Sequence, residues 1–297
     1  MIQSPPHLRI LQPHPGIFAY YDGRVPGYRF DPRPNWVDDG ALEVGIASFA
    51  LVQGQAAIVY DTGTTPAYGA AVKAHLDGLG VTDLRVVYSH WHKDHVAGTA
   101  EFGSVPVIAN ARTAAHLAAR KAGIEPGVEW PPIKPLVLPT QTFDGMMALT
   151  LGALRVELHC FNIHSDDATV IWLPEARILL AGDTLEDPIT YVAEPEGFAA
   201  HLADLARLAE LDPVRILPCH GDPDVIAAGG YGAELIAATQ TYVRFLVSLQ
   251  AEPGRATMPL RDIIGDDLAA GYIRWFDAYA GVHALNLAEA LKADGHG

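Results

Sequence analysis

The chain has 297 residues, of which 49% are hydrophobic and 19% charged, enough apolar material for one large domain or two small ones. Lys and Arg number 20 against 35 Asp and Glu, giving a net charge of −15 with no basic run, which argues against nucleic acid or an anionic membrane as partner. The chain begins with no secretory signal, and no apolar run reaches the ~18 residues of a membrane span, so we expect a cytoplasmic protein.

The first 43 residues are predicted to be a loop-rich extension. They are rich in Pro, Gly, Tyr and Arg, and only residues 17–21 form a brief apolar run typical of a strand. Residues 22–39 are predicted to be a long loop, a type of segment that often borders a binding site. Two apolar runs then flank the turn at residues 53–55, which predicts a hairpin that leads into Asp61.

Helix and strand patterns alternate after the hairpin. Residues 66–79 have helical spacing and residues 84–88 form a strand, and the same pair of patterns returns in reverse order at 105–109 and 111–122. This order predicts a mixed α/β fold. Residues 123–141 are predicted to be a loop because they contain five prolines, which regular elements do not tolerate.

The second half of the chain is predicted to contain four strands and then a helical carboxy-terminal part. The helices within residues 231–293 are expected to pack near the functional site, with Trp275 and Phe276 on the last of them. The predicted strands cover residues 148–160, 169–173, 178–181 and 215–218, and the predicted helices cover 198–211, 233–249, 260–264 and 271–291.

The most informative segment is the run SHWHKDH at residues 89–95, directly after a predicted strand. Residues two apart point the same way, so His90 and His92 can face one metal ion while Asp94 and His95 face a second. Neutral imidazole and carboxylate suit zinc at about 2.0–2.2 Å. The helical zinc motif His-Glu-x-x-His is absent, and two cysteines are too few for a zinc knuckle.

Three further candidate ligands follow other predicted strands. His164, Asp183 and His220 each lie just past an apolar run. Because the sites of α/β folds collect at the carboxyl edge of the strands, we expect these side chains to meet the first cluster. The sequence therefore predicts one metal site built from four separate segments.

In its order and spacing, this ligand set resembles the metallo-β-lactamase superfamily over residues 44–222. The resemblance implies an αββα sandwich that spans residues 1–297 as one domain, with two Zn²⁺ ions that Mn or Fe can replace. Asp61 matches a position that is usually structural. The implied first zinc ligands are His90, His92 and His164, the implied second zinc ligands are Asp94, His95 and His220, and Asp183 bridges the two ions.

The resemblance also implies a hydrolase in which a hydroxide held between the metals attacks a carbonyl carbon, with Asp94 as the catalytic residue that orients it. β-Lactamases generally have Cys or Ser at the position of Asp183, whereas an aspartate at this position resembles the ligand sets of glyoxalase II and the lactonases. We therefore expect cleavage of a lactone, ester or thioester. A β-lactam hydrolase, a non-catalytic metal-binding protein and an iron-dependent thiol dioxygenase are the alternatives.

The expected partner is a small molecule with an apolar or aromatic part; neither nucleic acid nor membrane is expected, and a homodimer is left open. The lactonases have a tyrosine three residues after the bridging aspartate, where this chain has Glu186, so Tyr191 is considered as its replacement. Aromatic residues in the two long loops and the last helix are the predicted cavity walls: Tyr28, Trp36, Trp130, Trp275 and Phe276.

Overall fold

Two β-sheets pack face to face at the centre of the molecule. The computed structural model describes residues 4–192, 194 and 197–292. Within them the first sheet has seven strands in chain order, antiparallel from β1 to β4 and parallel from β4 to β7. These strands are β1 (Arg9–His14), β2 (Ile17–Asp22), β3 (Ile46–Gln53), β4 (Ala56–Tyr60), β5 (Asp83–Val87), β6 (Val107–Asn110) and β7 (Gln141–Phe143).

The second sheet has the order β12-β11-β10-β9-β8. Its strands are antiparallel except for the β11–β12 pair, which is parallel because the helix at Phe198–Ala209 crosses between them. The strands are β8 (Met146–Leu151), β9 (Leu154–Ile163), β10 (Ser165–Leu173), β11 (Ile178–Gly182) and β12 (Arg215–Pro218).

Helices connect the strands and complete the carboxy-terminal part. No helix in the described ranges is both long and apolar enough to cross a membrane. A π-helix forms at Val37–Leu42, and short 3-10 helices form at Thr99–Phe102 and Pro253–Thr257. The α-helices of the described residues are α1 (Pro66–Gly78), α2 (Lys93–Val96), α3 (Ala111–Ile124), α4 (Phe198–Ala209), α5 (Pro223–Ala227), α6 (Glu234–Ser248), α7 (Leu260–Ile263), α8 (Gly265–Ala270) and α9 (Tyr279–Lys292).

Alternation along the strands separates two hydrophobic cores. On β4, Ile58 and Tyr60 face the core shared by the two sheets, whereas Ala57 and Val59 face the core shared with α1. On the other side of the molecule α4 packs against β9 and α6, with Leu205 fully buried. Helices thus cover both outer faces of the paired sheets. The predicted mixed α/β fold, an αββα sandwich, is confirmed.

Within its described part, the predicted loop-rich extension over residues 1–43 contains the predicted strand at residues 17–21 and two elements that were not predicted. Arg9–His14 forms an edge strand that pairs antiparallel with Ile17–Asp22, and Val37–Leu42 forms the π-helix. The edge strand has mostly exposed side chains and contains a proline, so it lacks the buried alternation by which strands are recognised. The prediction of a single domain over residues 1–297 stays a prediction.

Two predicted elements have different bounds in the structure. Gly152, at φ +60°, turns the single strand predicted for residues 148–160 into the β8–β9 hairpin. Gly271, at φ +76°, ends α8, and α9 begins only at Tyr279. Trp275 and Phe276 were expected to lie on the last helix, but they precede it.

Candidate metal centre

The histidine-rich segment leaves the middle of the first sheet. β5 lies between β4 and β6, both parallel to it, so residues 89–92 emerge at the carboxyl edge and lead into the single turn of α2. His90 and His95 are buried, and Asp94 lies in the first turn of α2. The turn places the two halves of the run on different sides of one cleft.

The other predicted ligands reach the same cleft from the second sheet. His164 occupies the one-residue link between β9 and β10 at φ +68°, Asp183 directly follows β11, and His220 lies two residues after β12. All seven predicted side chains meet at this edge. They form two groups, and within each group the ligand atoms lie within 4.8 Å of one another. The first group is His90, His92, His164 and Asp183, and the second group is Asp94, His95 and His220.

One carboxylate oxygen joins the two groups. Asp183 Oδ2 lies 3.1 Å from His95 Nε2 and 3.4 Å from His220 Nε2. The same oxygen lies 3.6 Å from His90 Nε2 and 3.8 Å from His164 Nε2. Because imidazoles of both groups surround it, Asp183 holds the shared position between them.

Four of the five imidazoles are fixed through the ring nitrogen that points away from the cleft. A backbone carbonyl can only accept a hydrogen bond, so in His164 and His220 Nδ1 carries a hydrogen and Nε2 is the ring nitrogen that faces the cleft. Such outer contacts orient metal ligands. The contacts are His90 Nδ1 to Ser89 Oγ at 2.9 Å, His95 Nδ1 to Asp61 Oδ2 at 2.8 Å, His164 Nδ1 to the Tyr191 carbonyl at 2.8 Å, and His220 Nδ1 to the Gly45 carbonyl at 2.7 Å.

Burial and charge set the protonation of the site. Burial, together with the neighbouring His164, lowers the pKa of His92 to about 3, so its imidazole is neutral at pH 7. Burial alone would raise the pKa of Asp94, but the neighbouring His95 and His220 hold this pKa well below its usual range. Neutral imidazoles and ionised carboxylates are the forms in which these groups bind metal ions.

Two buried polar atoms at the cleft have no hydrogen-bond partner among the described residues: His90 Nε2 and Asp183 Oδ1. Buried polar atoms are rarely left unpaired, and those that are usually meet a water molecule or an ion. Both atoms belong to the group of three imidazoles and one carboxylate, a donor set that suits zinc. The residues present therefore fit a bound divalent metal ion.

A cavity of about 500 Å³ opens onto both groups. Of the predicted walls only Trp36 lines it; Tyr28 and Phe276 line a neighbouring cavity of about 580 Å³, and Trp130 and Trp275 line neither. Tyr191 does line the metal-facing cavity. The last helix was predicted to form a wall through its aromatic residues, and it lines the cavity through other residues: Ala278, just before α9, and Gly281, Val282 and Leu285 on it. The walls that sequence reasoning missed are Asp39, Gly40, Glu43, Val44, Trp91 and Lys93.

Glu186 also lines this cavity and is fully buried. Burial raises the pKa of its carboxyl to about 8, with His220 lowering it and Asp183 raising it. Its oxygens accept hydrogen bonds from the Tyr191 backbone N–H at 2.9 Å and from the Tyr279 hydroxyl at 3.0 Å. Glu186 therefore connects the loop after β11 to α9, a role that its position in the sequence did not indicate.

Asp167 is a second buried carboxylate that sequence reasoning left without a role. One oxygen accepts the Trp91 backbone N–H at 3.0 Å, and the other accepts the Ser165 hydroxyl at 2.7 Å. Trp91 separates His90 from His92, and Ser165 follows His164. Asp167 therefore ties together the two turns that carry the first group of imidazoles.

Replacing Asp167 by Ala is expected to lower the free energy of unfolding of the metal-free protein by about 3 kcal/mol, because two buried donors lose their acceptor. Urea unfolding measures this change. The matched control is Asp166→Ala, since Asp166 is partly exposed and binds the surface side chains of Arg112 and His116. Equal losses from both variants would contradict the role given to Asp167.

A comparison with the sequence models of known families shows which family the chain belongs to. The sequence model of the metallo-β-lactamase superfamily matches residues 42–220, more than half of the chain and all seven predicted ligands. The chain belongs to the metallo-β-lactamase superfamily. The resemblance first seen in the ordered histidines and aspartates is thereby confirmed.

Solved metallo-β-lactamases share the fold of this superfamily member. One from Pontibacter korlensis has a TM-score of 0.61 at 18% identity and covers 80% of this chain and 99% of its own. DIM-1 metallo-β-lactamase has a TM-score of 0.59 at 21% identity, covering 80% and 97%. VMB-1 has a TM-score of 0.61 at 15% identity, covering 81% and 98%. At such identities the likeness concerns the fold and does not extend to the substrate.

Proposed function

We propose that this metallo-β-lactamase superfamily member is a dinuclear zinc hydrolase that cleaves an ester-like carbonyl: a lactone, an ester or a thioester. The observation that carries the proposal is the position of Asp183, whose Oδ2 lies 3.1–3.8 Å from four imidazole nitrogens drawn from both groups. His90, His92 and His164 would hold one ion, Asp94, His95 and His220 would hold the other, and Asp183 would touch both.

The metal ions would supply Lewis acidity and lower the pKa of a bound water from 15.7 toward about 7. The side chains have their own tasks. Asp94, which is 17% exposed and lines the cavity, accepts a hydrogen bond from the attacking water and directs its lone pair toward the substrate. The outer contacts of His90, His95, His164 and His220 keep their rings from turning during the reaction.

The lining of the cavity supports an ester-like substrate with an apolar part. Trp36, Val44, Trp91, Val282 and Leu285 provide apolar surface beside the metal-facing carboxylates. A carboxylate at position 183 also adds negative charge to the centre, which favours a reactive nucleophile over strong polarisation of a poorly activated amide. Hydrolysis of β-lactams is retained as the alternative reaction, since the similar structure DIM-1 is a β-lactamase that was exposed to ceftazidime.

Metal removal tests the proposal. We expect close to two zinc ions per chain and hydrolysis of lactones, thioesters or aryl esters that falls at least 10³-fold after chelation, because every predicted ligand faces the cleft. Metal analysis and a substrate panel that includes cephalosporins measure both quantities, and adding zinc back is the control for damage by the chelator.

Other outcomes of the same experiment separate the alternatives. Faster turnover of cephalosporins than of any ester would favour the β-lactamase reaction. One iron per chain with oxygen-dependent consumption of a thiol would favour the dioxygenase. Bound zinc with no hydrolysis of the panel would favour a non-catalytic metal-binding protein.

A further inference from the structure

The carboxy-terminal helix forms a wall of the metal-facing cavity. Ala278, just before α9, and Gly281, Val282 and Leu285 within it all line this space. Their spacing of three to four residues places them along one side of the helix. Leu285 remains 57% exposed, so an apolar side chain lies at the mouth of the cavity without being covered by protein. This wall lies outside residues 42–220, which match the superfamily.

α9 is fixed to the loop that orients a predicted metal ligand. Asn286 accepts the Val192 backbone N–H at 2.8 Å and donates to the Thr190 carbonyl at 3.0 Å, and the Tyr279 hydroxyl donates to Glu186. Between these attachments the Tyr191 carbonyl accepts the hydrogen of His164 Nδ1. The wall is therefore held at a fixed place relative to the metal-facing side chains.

Gly281 leaves part of this wall open. A Cβ atom built on Gly281 would have no heavy atom within 4 Å, and its φ lies outside the left-handed region. Neither a close contact nor the backbone conformation requires glycine here, although glycine within a helix is unfavourable relative to alanine. Gly281 is exposed and lines the cavity, so a large side chain at this position has room to extend over the part of the wall formed by Val282 and Leu285.

We propose that α9 forms the subsite for the apolar acyl or aryl part of the substrate and that Gly281 sets how long this part can be. The inference rests on the proposed hydrolase function, because the reacting carbonyl must lie at the metal-facing side chains. The apolar part then extends along Val282 and Leu285 toward the mouth of the cavity.

The test compares zinc-loaded wild type with Gly281→Phe in the hydrolysis of p-nitrophenyl acetate, butyrate and octanoate. It also compares their binding of the corresponding free carboxylates by isothermal titration calorimetry. Each methylene excluded from an apolar surface weakens binding about fourfold. We expect Gly281→Phe to lower the octanoate-to-acetate ratio of kcat/KM, and of affinity, by about tenfold or more.

Gly78→Phe is the matched control. Gly78 also lies in a helix, a Cβ on it also meets no atom within 4 Å, and it lines neither the metal-facing cavity nor the neighbouring one of about 580 Å³. This control should keep the wild-type ratio. If Gly281→Phe does not fold, Leu285→Ala serves instead, since Leu285 is exposed, and it should lower the same ratio severalfold through lost apolar contact.

The two readouts distinguish failure of the subsite from failure of the proposed reaction. A wild-type ratio in a folded, zinc-loaded Gly281→Phe, or in Leu285→Ala where that variant is used, overturns the subsite while ester hydrolysis stands. If no ester is hydrolysed but wild type binds octanoate more tightly than acetate and the variant loses this preference, the subsite stands and the proposed reaction falls.

Discussion

Asp94→Ala is expected to lower kcat/KM for the ester-like substrate by about 10³-fold or more, equivalent to about 4 kcal/mol of transition-state stabilisation. Asp94 is the carboxylate of the second group, and it lines the cavity. Its Oδ2 lies 3.5 Å from His95 Nε2 and 3.6 Å from His220 Nε2. Its loss removes a proposed metal ligand together with the group that orients the attacking water. Steady-state kinetics at fixed zinc concentration measures the effect.

Folding should be much less sensitive to the same change. The Asp94 side chain is partly exposed in the single turn of α2, but its contacts with His95 and His220 stabilise the metal-free protein, so we expect the free energy of unfolding to fall by about 1–2 kcal/mol, less than the loss of transition-state stabilisation. Asp77→Ala is the matched control for removing a helical carboxylate, because Asp77 pairs with Lys73 on the exposed surface of α1. Unaltered turnover in Asp94→Ala would remove Asp94 from the mechanism.

Asp183→Ala is expected to reduce bound zinc from about two ions per chain to one or fewer, with a loss of at least about 10³-fold in kcat/KM. The reason is that its Oδ2 faces imidazoles of both groups, so both ions would lose a ligand. Dialysis against metal-free buffer followed by metal analysis measures the first quantity, and kinetics on the same samples measures the second.

The control for this experiment is Asp212→Ala, whose carboxylate is 78% exposed and pairs with Arg177 away from the cleft. It should keep wild-type zinc content and turnover. An Asp183→Ala protein that retains two tightly bound zinc ions would show that Asp183 is not shared between them, and the dinuclear arrangement proposed here would be wrong.

The candidate site could be predicted from the sequence because its residues lie in short, recognisable sequence patterns. His90, His92, Asp94 and His95 lie within six residues, and few other patterns place so many ligand types on one turn. His164, Asp183 and His220 were found because parallel and antiparallel strands that end at one edge bring the residues after them together. The structure places all seven in one cleft, and their binding of metal stays a prediction.

The contacts that orient these ligands were less visible. Asp61 was recognised as a structural carboxylate, and it accepts hydrogen bonds from His95 Nδ1 and from the Ser89 backbone N–H. Asp167 and Glu186 were not assigned a role, because the partners that connect them to the site, the Trp91 backbone N–H and the Tyr279 hydroxyl, come from segments more than 70 residues away. Long-range hydrogen bonds depend on where the strands place the backbone, and residue type alone does not reveal this.

The sequence by itself determined the mixed α/β class and the set of candidate ligands, since hydrophobic periodicity and a dense ligand motif are encoded over a few neighbouring residues. The resemblance carried by those ligands implied the superfamily and its αββα sandwich. Only the tertiary structure decided which walls surround those ligands. α9 begins only at Tyr279 and so leaves out Trp275 and Phe276, and it reaches the cleft through Tyr279 and Asn286. The π-helix at Val37–Leu42 directly follows Trp36 at the cavity. A substrate cavity is assembled from loops and helix faces that are far apart in the chain, so its shape depends on packing and not on any local pattern.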